Sequence, residues 1–132
     1  MGKFTAIEEA VYGIVASPSF VAEKLQVYPN NFTGKITEEF LRLDIITGGE
    51  NYSALGAKGV LMVQIFVLVN KGTRRACTIA DILDKHFTGK SVATPLGTLL
   101  LTSSVLSHYG PDKANPALHL SEYTINYSWS NN

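Results

Sequence analysis

The sequence lacks the features that mark several classes of protein. It holds one cysteine, Cys77, so no disulfide can form within the chain. Its 11 basic and 11 acidic residues leave a formal net charge of zero, which excludes a broad basic field for nucleic acid or anionic lipid. No arginine-rich leader, apolar signal core or membrane-length apolar run is present, so we expect a soluble protein made in the cytosol without a membrane anchor. A length of 132 residues predicts one domain, residues 1–132.

Motifs for nucleotide or metal binding are also weak. Residues 88–91 read TGKS, which matches the end of a phosphate-binding loop, but Asp84 stands where that loop needs glycine. The segment also follows a predicted helix, whereas a phosphate-binding loop follows a strand. Asp81, Asp84 and His86 have no second ligand cluster to complete a metal site, so a solvated helix face explains them better. We therefore expect no cofactor and no metal.

Three residues remain as candidates for catalysis. His108 and His119 flank a proline-containing loop and could meet across a hairpin, but no carboxylate stands ready to orient them. Cys77 lies on a predicted helix without an evident histidine partner, so we interpret it as a packed thiol. The sequence therefore favours a protein that is not an enzyme. A small enzyme or ligand-binding domain that uses His108 and His119 is a remote alternative.

The longest apolar run, residues 60–69, is the stretch around which the chain is organised. It is rich in β-branched residues, which favour a strand, and it is apolar on both faces. One face carries Val63, Ile65, Val67 and Val69, and the other carries Met62, Phe66 and Leu68. A strand of this kind is central in its sheet and covered on both sides. The protein's own helices can supply one cover, and we expect another molecule to supply the second.

Helical periodicity appears twice in the chain. Apolar residues recur at helical spacing over residues 7–15 and again over residues 73–87, which predicts two amphipathic helices. Ser17 is placed to cap a short helical piece that begins at Pro18. Both long helices present one apolar stripe, so we expect both to pack on the sheet.

Alternating residues predict the remaining strands. They run over residues 39–46, 97–106 and 118–129, and a long glycine-containing loop, residues 47–59, joins the first strand to the central one. The alternation changes phase at residues 121–122, which predicts a β-bulge or bend there. The order helix, strand, strand, helix, strand, strand predicts an α+β domain, with an antiparallel sheet and two main helices packed on one face.

One face of this predicted sheet has no cover within the chain. It is expected to carry Phe66, Leu68 and part of the aromatic ladder that includes Tyr127 and Trp129. A large exposed apolar patch usually marks a protein interface. The residues therefore favour an oligomeric structural or interaction protein.

The chain resembles the tail terminator (tail-completion) proteins of long-tailed bacteriophages. The resemblance lies in the order, lengths and patterning of the segments YPNNF, FLRLDII, GGENYSALGAKG, VLMVQIFVLVNKG, RRACTIADILDKHF and SEYTINYSW. These segments span most of the chain from Tyr28 to Trp129. The family has no catalytic residues to carry over.

The resemblance implies a role in the virion. Such a protein assembles as a ring, typically a hexamer, on the last ring of the tail tube at the head-proximal end of the tail. It ends tube polymerisation and joins the tail to the head connector or neck protein, and the genome can pass through its lumen without sequence-specific contact. A neck or head-closure protein and a tail tube subunit remain alternatives.

The resemblance and the uncovered face together suggest two sets of contact residues. The candidates for contact with the tube lie in or beside the long loop: Glu50, Asn51, Tyr52, Leu55 and Lys58. The candidates for the interface between ring subunits lie on the sheet and on the second long helix: Phe66, Leu68, Tyr127, Trp129, Arg74 and Arg75.

Overall fold

A computed structural model describes residues 2–29, 39–47 and 56–131. The helices are α1 (Lys3–Val15), α2 (Pro18–Val21) and α3 (Gly72–Phe87), and a short 3-10 turn, Val69–Lys71, precedes α3. The strands are β1 (Val27–Pro29), β2 (Phe40–Thr47), β3 (Gly56–Leu68), β4 (Ser91–Ala93), β5 (Gly97–Pro111) and β6 (Leu118–Asn131). The two long helices and the four long strands follow the predicted order.

The six strands form one mixed sheet in the order β1-β2-β3-β6-β5-β4. All neighbours pair antiparallel except β1 and β2, which are parallel. The prediction of a wholly antiparallel sheet with four strands is therefore wrong in detail. Strands β1 and β4 have only three residues each, too few for alternation to reveal them in the sequence. The coarser prediction of an α+β domain is confirmed.

Strand β3 lies in the middle of the sheet, between β2 and β6, as the apolar run predicts. It starts earlier than expected, at Gly56, so the end of the predicted loop belongs to the strand. Gly59 explains part of this extension. A side chain at Gly59 would collide with the carbonyl oxygen of Ile46 and with the ring of Tyr127. Only glycine therefore lets strand β3 approach β2 and β6 so closely here.

The change of phase in the sequence does not come from a bulge in strand β6. It pairs with β3 without interruption from Ser130 to Leu118. Leu118 and Leu120 lie on the face turned away from the helices, whereas Tyr123 and the alternate residues after it lie on the helix face. The predicted bulge at residues 121–122 is therefore wrong. The irregular pairing lies in β5, beside residues 102–103 and Tyr109.

Local signals at the helix ends are partly confirmed. Ser17 caps α2 by accepting a hydrogen bond from the Phe20 amide, with Pro18 at the first helical position. Gly89 follows α3 with a φ of 72°, the left-handed conformation that glycine adopts without strain. Helix α3 begins at Gly72, one residue before the predicted start, and its N-cap residue, Lys71, makes no side-chain cap.

The main core lies between the helices and one face of the sheet. Helix α1 contributes Ile7 and Val11, and α3 contributes Ile79, Leu83 and Phe87. The sheet contributes alternate residues of its central strands, among them Leu41, Leu43, Leu61, Val63, Ile65, Leu99, Leu101 and Ile125. We call this side of the sheet the helix face, and the opposite side the outward face.

Candidate functional site

The outward face carries a small apolar cluster at one end, and two of the predicted interface residues belong to it. Phe40, Phe66 and Leu118 are buried there, with Tyr28, Leu68 and Leu120 packed against them; we call these six residues the outer cluster. The rings of Phe40 and Phe66 stack with centroids 4.4 Å apart and planes 8° apart. Phe66 is sealed within the subunit, so its assignment to the ring interface is wrong. Leu68 is only half-buried and stays accessible to a partner.

Arg42 lies over the outer cluster and separates it from a polar surface. Its guanidinium carbon is 5.3 Å from the ring centroid of Phe66 and 5.9 Å from that of Phe40, which is cation–π distance. Along the sheet, Arg42 is level with Gln64 on β3 and Glu122 on β6. The outward face is therefore apolar at one end and polar in its middle, and its own aromatic rings and one arginine cover the apolar part.

Tyr127 and Trp129 lie in the main core and not on the outward face. Trp129 is 2% exposed and Tyr127 is 3% exposed. The Trp129 indole nitrogen donates to Asn131 Oδ1 at 2.6 Å, and burial raises the pKa of Tyr127. The expected place of this ladder on the uncovered face is therefore wrong, because alternation fixes which residues share a side but not which side the helices cover. Their assignment to the ring interface is wrong.

The two arginines at the start of α3 differ in what they contact. Arg75 forms a two-pronged salt bridge, with Nε donating to Glu39 Oε1 at 2.7 Å and Nη2 donating to Oε2 at 2.8 Å. These hydrogen bonds raise the pKa of Arg75. Arg74 is exposed at the surface. Arg75 therefore ties α3 to the residue that precedes β2 within the subunit, while Arg74 remains a candidate for contact with a neighbour.

Four of the five predicted tube-contact residues, Glu50, Asn51, Tyr52 and Leu55, lie outside the described residues. The fifth, Lys58, lies on β3 and is exposed. It pairs with Ser128 of β6, so its side chain leaves the sheet on the outward face, two residues after the start of the strand.

Cys77 does have a histidine partner, contrary to the sequence analysis. Its Sγ atom is 3.8 Å from Nε2 of His108, and Nδ1 of His108 is 2.7 Å from the hydroxyl of the buried Ser121. The rings of His108 and His119 lie 6.1 Å apart. The two histidines thus meet across the β5–β6 hairpin, as the sequence suggested. Across the described ranges, no three His, Cys, Asp or Glu side chains gather in a way that could hold a metal ion.

Asp84 links α3 to the sheet, a role that the sequence analysis did not predict. Its Oδ1 atom accepts hydrogen bonds from Thr88, Ser104 and Tyr123, each at 2.7 Å. Partial burial acts to raise the pKa of Asp84, but these three hydrogen bonds outweigh it and hold the pKa below its usual value. Burial raises the pKa of Tyr123. The carboxylate that rules out a phosphate loop is therefore a structural anchor.

Two surface hollows lie away from His108 and His119. One of about 250 Å³ lies between α1 and β2, lined by residues that include Phe4, Tyr12 and Ile45. Another, of about 680 Å³, lies between α1 and the end of α3 and includes Lys85 and the buried His86. Of the helices in the described part of the chain, none is long and apolar enough to cross a membrane.

Strand β5 presents the most accessible apolar residues of the sheet. Val105 and Tyr109 are both 61% exposed, and Leu100 is 42% exposed. Strand β4 covers only the beginning of β5, from Thr98 to Leu100. This surface cannot be predicted from the sequence, because alternation indicates where β5 lies and not that it forms most of one edge of the sheet.

Comparison with known proteins identifies the fold. No protein-family model and no curated protein matches the chain. A solved chain of unstated function superposes with a TM-score of 0.63 and 17% identity, over 96% of this chain and 92% of that one. A chain from the virion of the native gene transfer agent (GTA) particle superposes with a TM-score of 0.60 and 16% identity, over 92% of each chain. At these identities the likeness establishes a shared fold.

Proposed function

We propose that the chain is a structural virion protein that forms a ring, with six copies, at the head-proximal end of a phage tail. The ring ends polymerisation of the tail tube and joins the tube to the head connector or neck protein. The single observation that carries this proposal is the shared fold with a chain of a GTA virion over nearly the full length of both. The resemblance to tail terminators supports the position within the virion.

The surfaces left accessible in one subunit suit such a role. Leu68 and Arg74 remain as candidates for the contact between ring subunits, because neither is sealed inside the fold. A ring needs a heterologous contact, in which two different patches of the same chain meet and the rotation closes. The outward face is polar in its middle, as a surface facing water or a passing genome would be. We propose no catalytic role and no cofactor.

The proposed partners are the tail tube protein, the connector or neck protein, and further copies of the chain. Contact with the tube is proposed for Glu50, Asn51, Tyr52, Leu55 and Lys58. Replacing Glu50, Asn51 and Tyr52 together by alanine should leave ring formation intact and abolish capping of the tube. The exposed Lys113, in the turn between β5 and β6, provides a control whose alanine variant should cap normally.

Polymerising purified tube subunits with and without the protein tests the proposal. A terminator shortens the tubes as its concentration rises and appears as a ring at one end in negative stain. A tube subunit would instead lengthen the tubes and be incorporated along them. A neck protein would bind finished tails and leave tube length unchanged. Tubes of unchanged length and bare ends would contradict the proposed function.

A further inference from the structure

The outer edge of β5, residues 102–109, has no neighbouring strand among the residues that the structure describes. Strand β4 pairs with Thr98–Leu100, and the carbonyl of Lys90 then accepts a hydrogen bond from the Leu101 amide at 2.8 Å. Beyond Leu101, no backbone group in the ranges that the structure describes pairs with this edge. Such an edge presents amides and carbonyls ready to pair with another strand.

The usual protection of a strand edge by charge is absent here. Residues 102–109 read TSSVLSHY and contain no Lys, Arg, Asp or Glu. Natural proteins commonly place charges on exposed edges to prevent pairing with a second chain. The irregularities beside residues 102–103 and Tyr109 lie at the two ends of the edge, so residues 104–108 form a regular stretch between them. Within this stretch, one residue from its middle, Val105 is 61% exposed.

We propose that the outer edge of β5 pairs antiparallel with the same edge of a second copy, about a two-fold axis near Leu106, the middle residue of this stretch. An antiparallel pairing of an edge with itself needs a stretch that is regular on both sides of its centre, and residues 104–108 provide one. It also brings each charge close to its own copy, and residues 102–109 carry none. The Asp84 carboxylate that contacts Ser104 belongs to α3, on the helix face of the sheet. Val105 of one copy then packs beside β5 of the other, which removes exposed apolar surface from water.

This pairing does not rest on the proposed ring. A two-fold contact uses the same patch on both copies and closes with two, whereas a ring uses two different patches. The pairing joins two six-stranded sheets into one continuous sheet with all helices on the same side. The inferred dimer is a state of the free protein.

Sedimentation velocity of the full chain across concentration tests the pairing with charged variants. The wild type is expected to shift from monomer to dimer, and Val105→Lys is expected to weaken the dimer about tenfold or more, because two lysines meet near the axis. The matched control is Val69→Lys, at an apolar residue 48% exposed in the turn before α3, which should dimerise like the wild type. Equal melting temperatures for the three proteins show that the fold is intact.

Crosslinking gives a second, independent measurement. In a Cys77→Ser background, Val105→Cys should give a covalent dimer with a short bismaleimide, and Val69→Cys should give little. A wild type that stays monomeric at every concentration, a Val105→Lys variant that dimerises like the wild type, or equal crosslinking at both positions would overturn the pairing. Tube capping by Val105→Lys reports separately on the proposed function, since a ring that does not use this edge still forms.

Discussion

The two faces of the sheet are covered in different ways, and the difference separates residues that hold the fold from residues open to a partner. On the helix face, α1 and α3 bury the aromatic ladder that ends at Trp129, and the side chains there are almost completely removed from water. On the outward face, no helix covers the sheet in the described residues, and only Phe40, Phe66 and Leu118 of the outer cluster are buried, with Arg42 over the two phenylalanine rings. Contacts with other molecules are therefore expected on the outward face and at the edges.

The contrast between the two faces of the sheet is tested most directly at Trp129. The Trp129→Ala variant should lose about 4 kcal/mol of stability, because the change removes a large buried side chain and leaves a cavity that the packed core fills poorly. Urea denaturation followed by circular dichroism measures the loss. A loss of stability below about 1 kcal/mol, together with weaker self-association, would contradict this account and indicate that Trp129 lies in an interface between subunits.

The outward face should respond less strongly to the same kind of change. We expect Phe66→Ala to cost about 3 kcal/mol, because the outer cluster is small and its neighbours can relax into the space. Leu68→Ala, at a half-buried neighbour in the same cluster, should cost about 1 kcal/mol and serves as the matched variant. Equal losses for Phe66→Ala and Trp129→Ala in the same denaturation assay would show that both faces are packed alike.

The hydrogen bonds around Asp84 hold α3 on the helix face of the sheet. Each of them is expected to contribute less to stability than the buried side chain of Trp129 or Phe66. Tyr123→Phe should cost about 1 kcal/mol, since it removes one hydroxyl that donates to Asp84. The lowered pKa of Asp84 adds stability above the unfolded pKa, about 3.9, and this stability is lost as the pH falls through the lower folded value. Below about pH 4, the wild type should therefore lose its advantage over Asp84→Asn.

Thermal melts of the wild type and Asp84→Asn between pH 2 and pH 7, about the range over which carboxylates titrate, measure this dependence. The difference in melting temperature should be constant near neutral pH and shrink on the acid side. A difference that grows as the pH falls would contradict the hydrogen-bonded role of Asp84.

The smallest expected effect concerns the two arginines of α3. Arg75→Ala should cost roughly 1 kcal/mol, because its salt bridge with Glu39 is two-pronged but partly exposed, and the loss should shrink in high salt. Arg74→Ala should leave stability unchanged and weaken ring formation instead. Chemical denaturation and light scattering, applied to both variants, would reject this division if Arg75→Ala alone impaired the ring.

The sequence predicts the main elements well, because their signals are local. The apolar run at residues 60–69 predicts the central strand, and helical spacing predicts α1 and α3. Strands β1 and β4 are not predictable, since three residues in an extended conformation show no period. The face on which Tyr127 and Trp129 lie depends on where the helices pack, which is a tertiary contact that alternation does not encode.

The contacts of the candidate residues are less predictable than the fold. The approach of Cys77 to His108, and of Asp84 to Ser104 and Tyr123, joins parts of the chain that lie far apart in sequence. The open edge of β5 follows from the order of strands in the sheet and not from the residues of β5 themselves. Its lack of charge is visible in the sequence, but that lack has meaning only once the strand is known to lie at an edge.

Tube polymerisation in the presence of the protein tests the proposed role most directly. Tail tube subunits alone form tubes of broad length, and adding the protein in rising amounts should shorten them and place one ring at a single end of each tube. Tubes that keep their length and carry no ring, or that take up the protein along their whole length, would contradict a terminating ring.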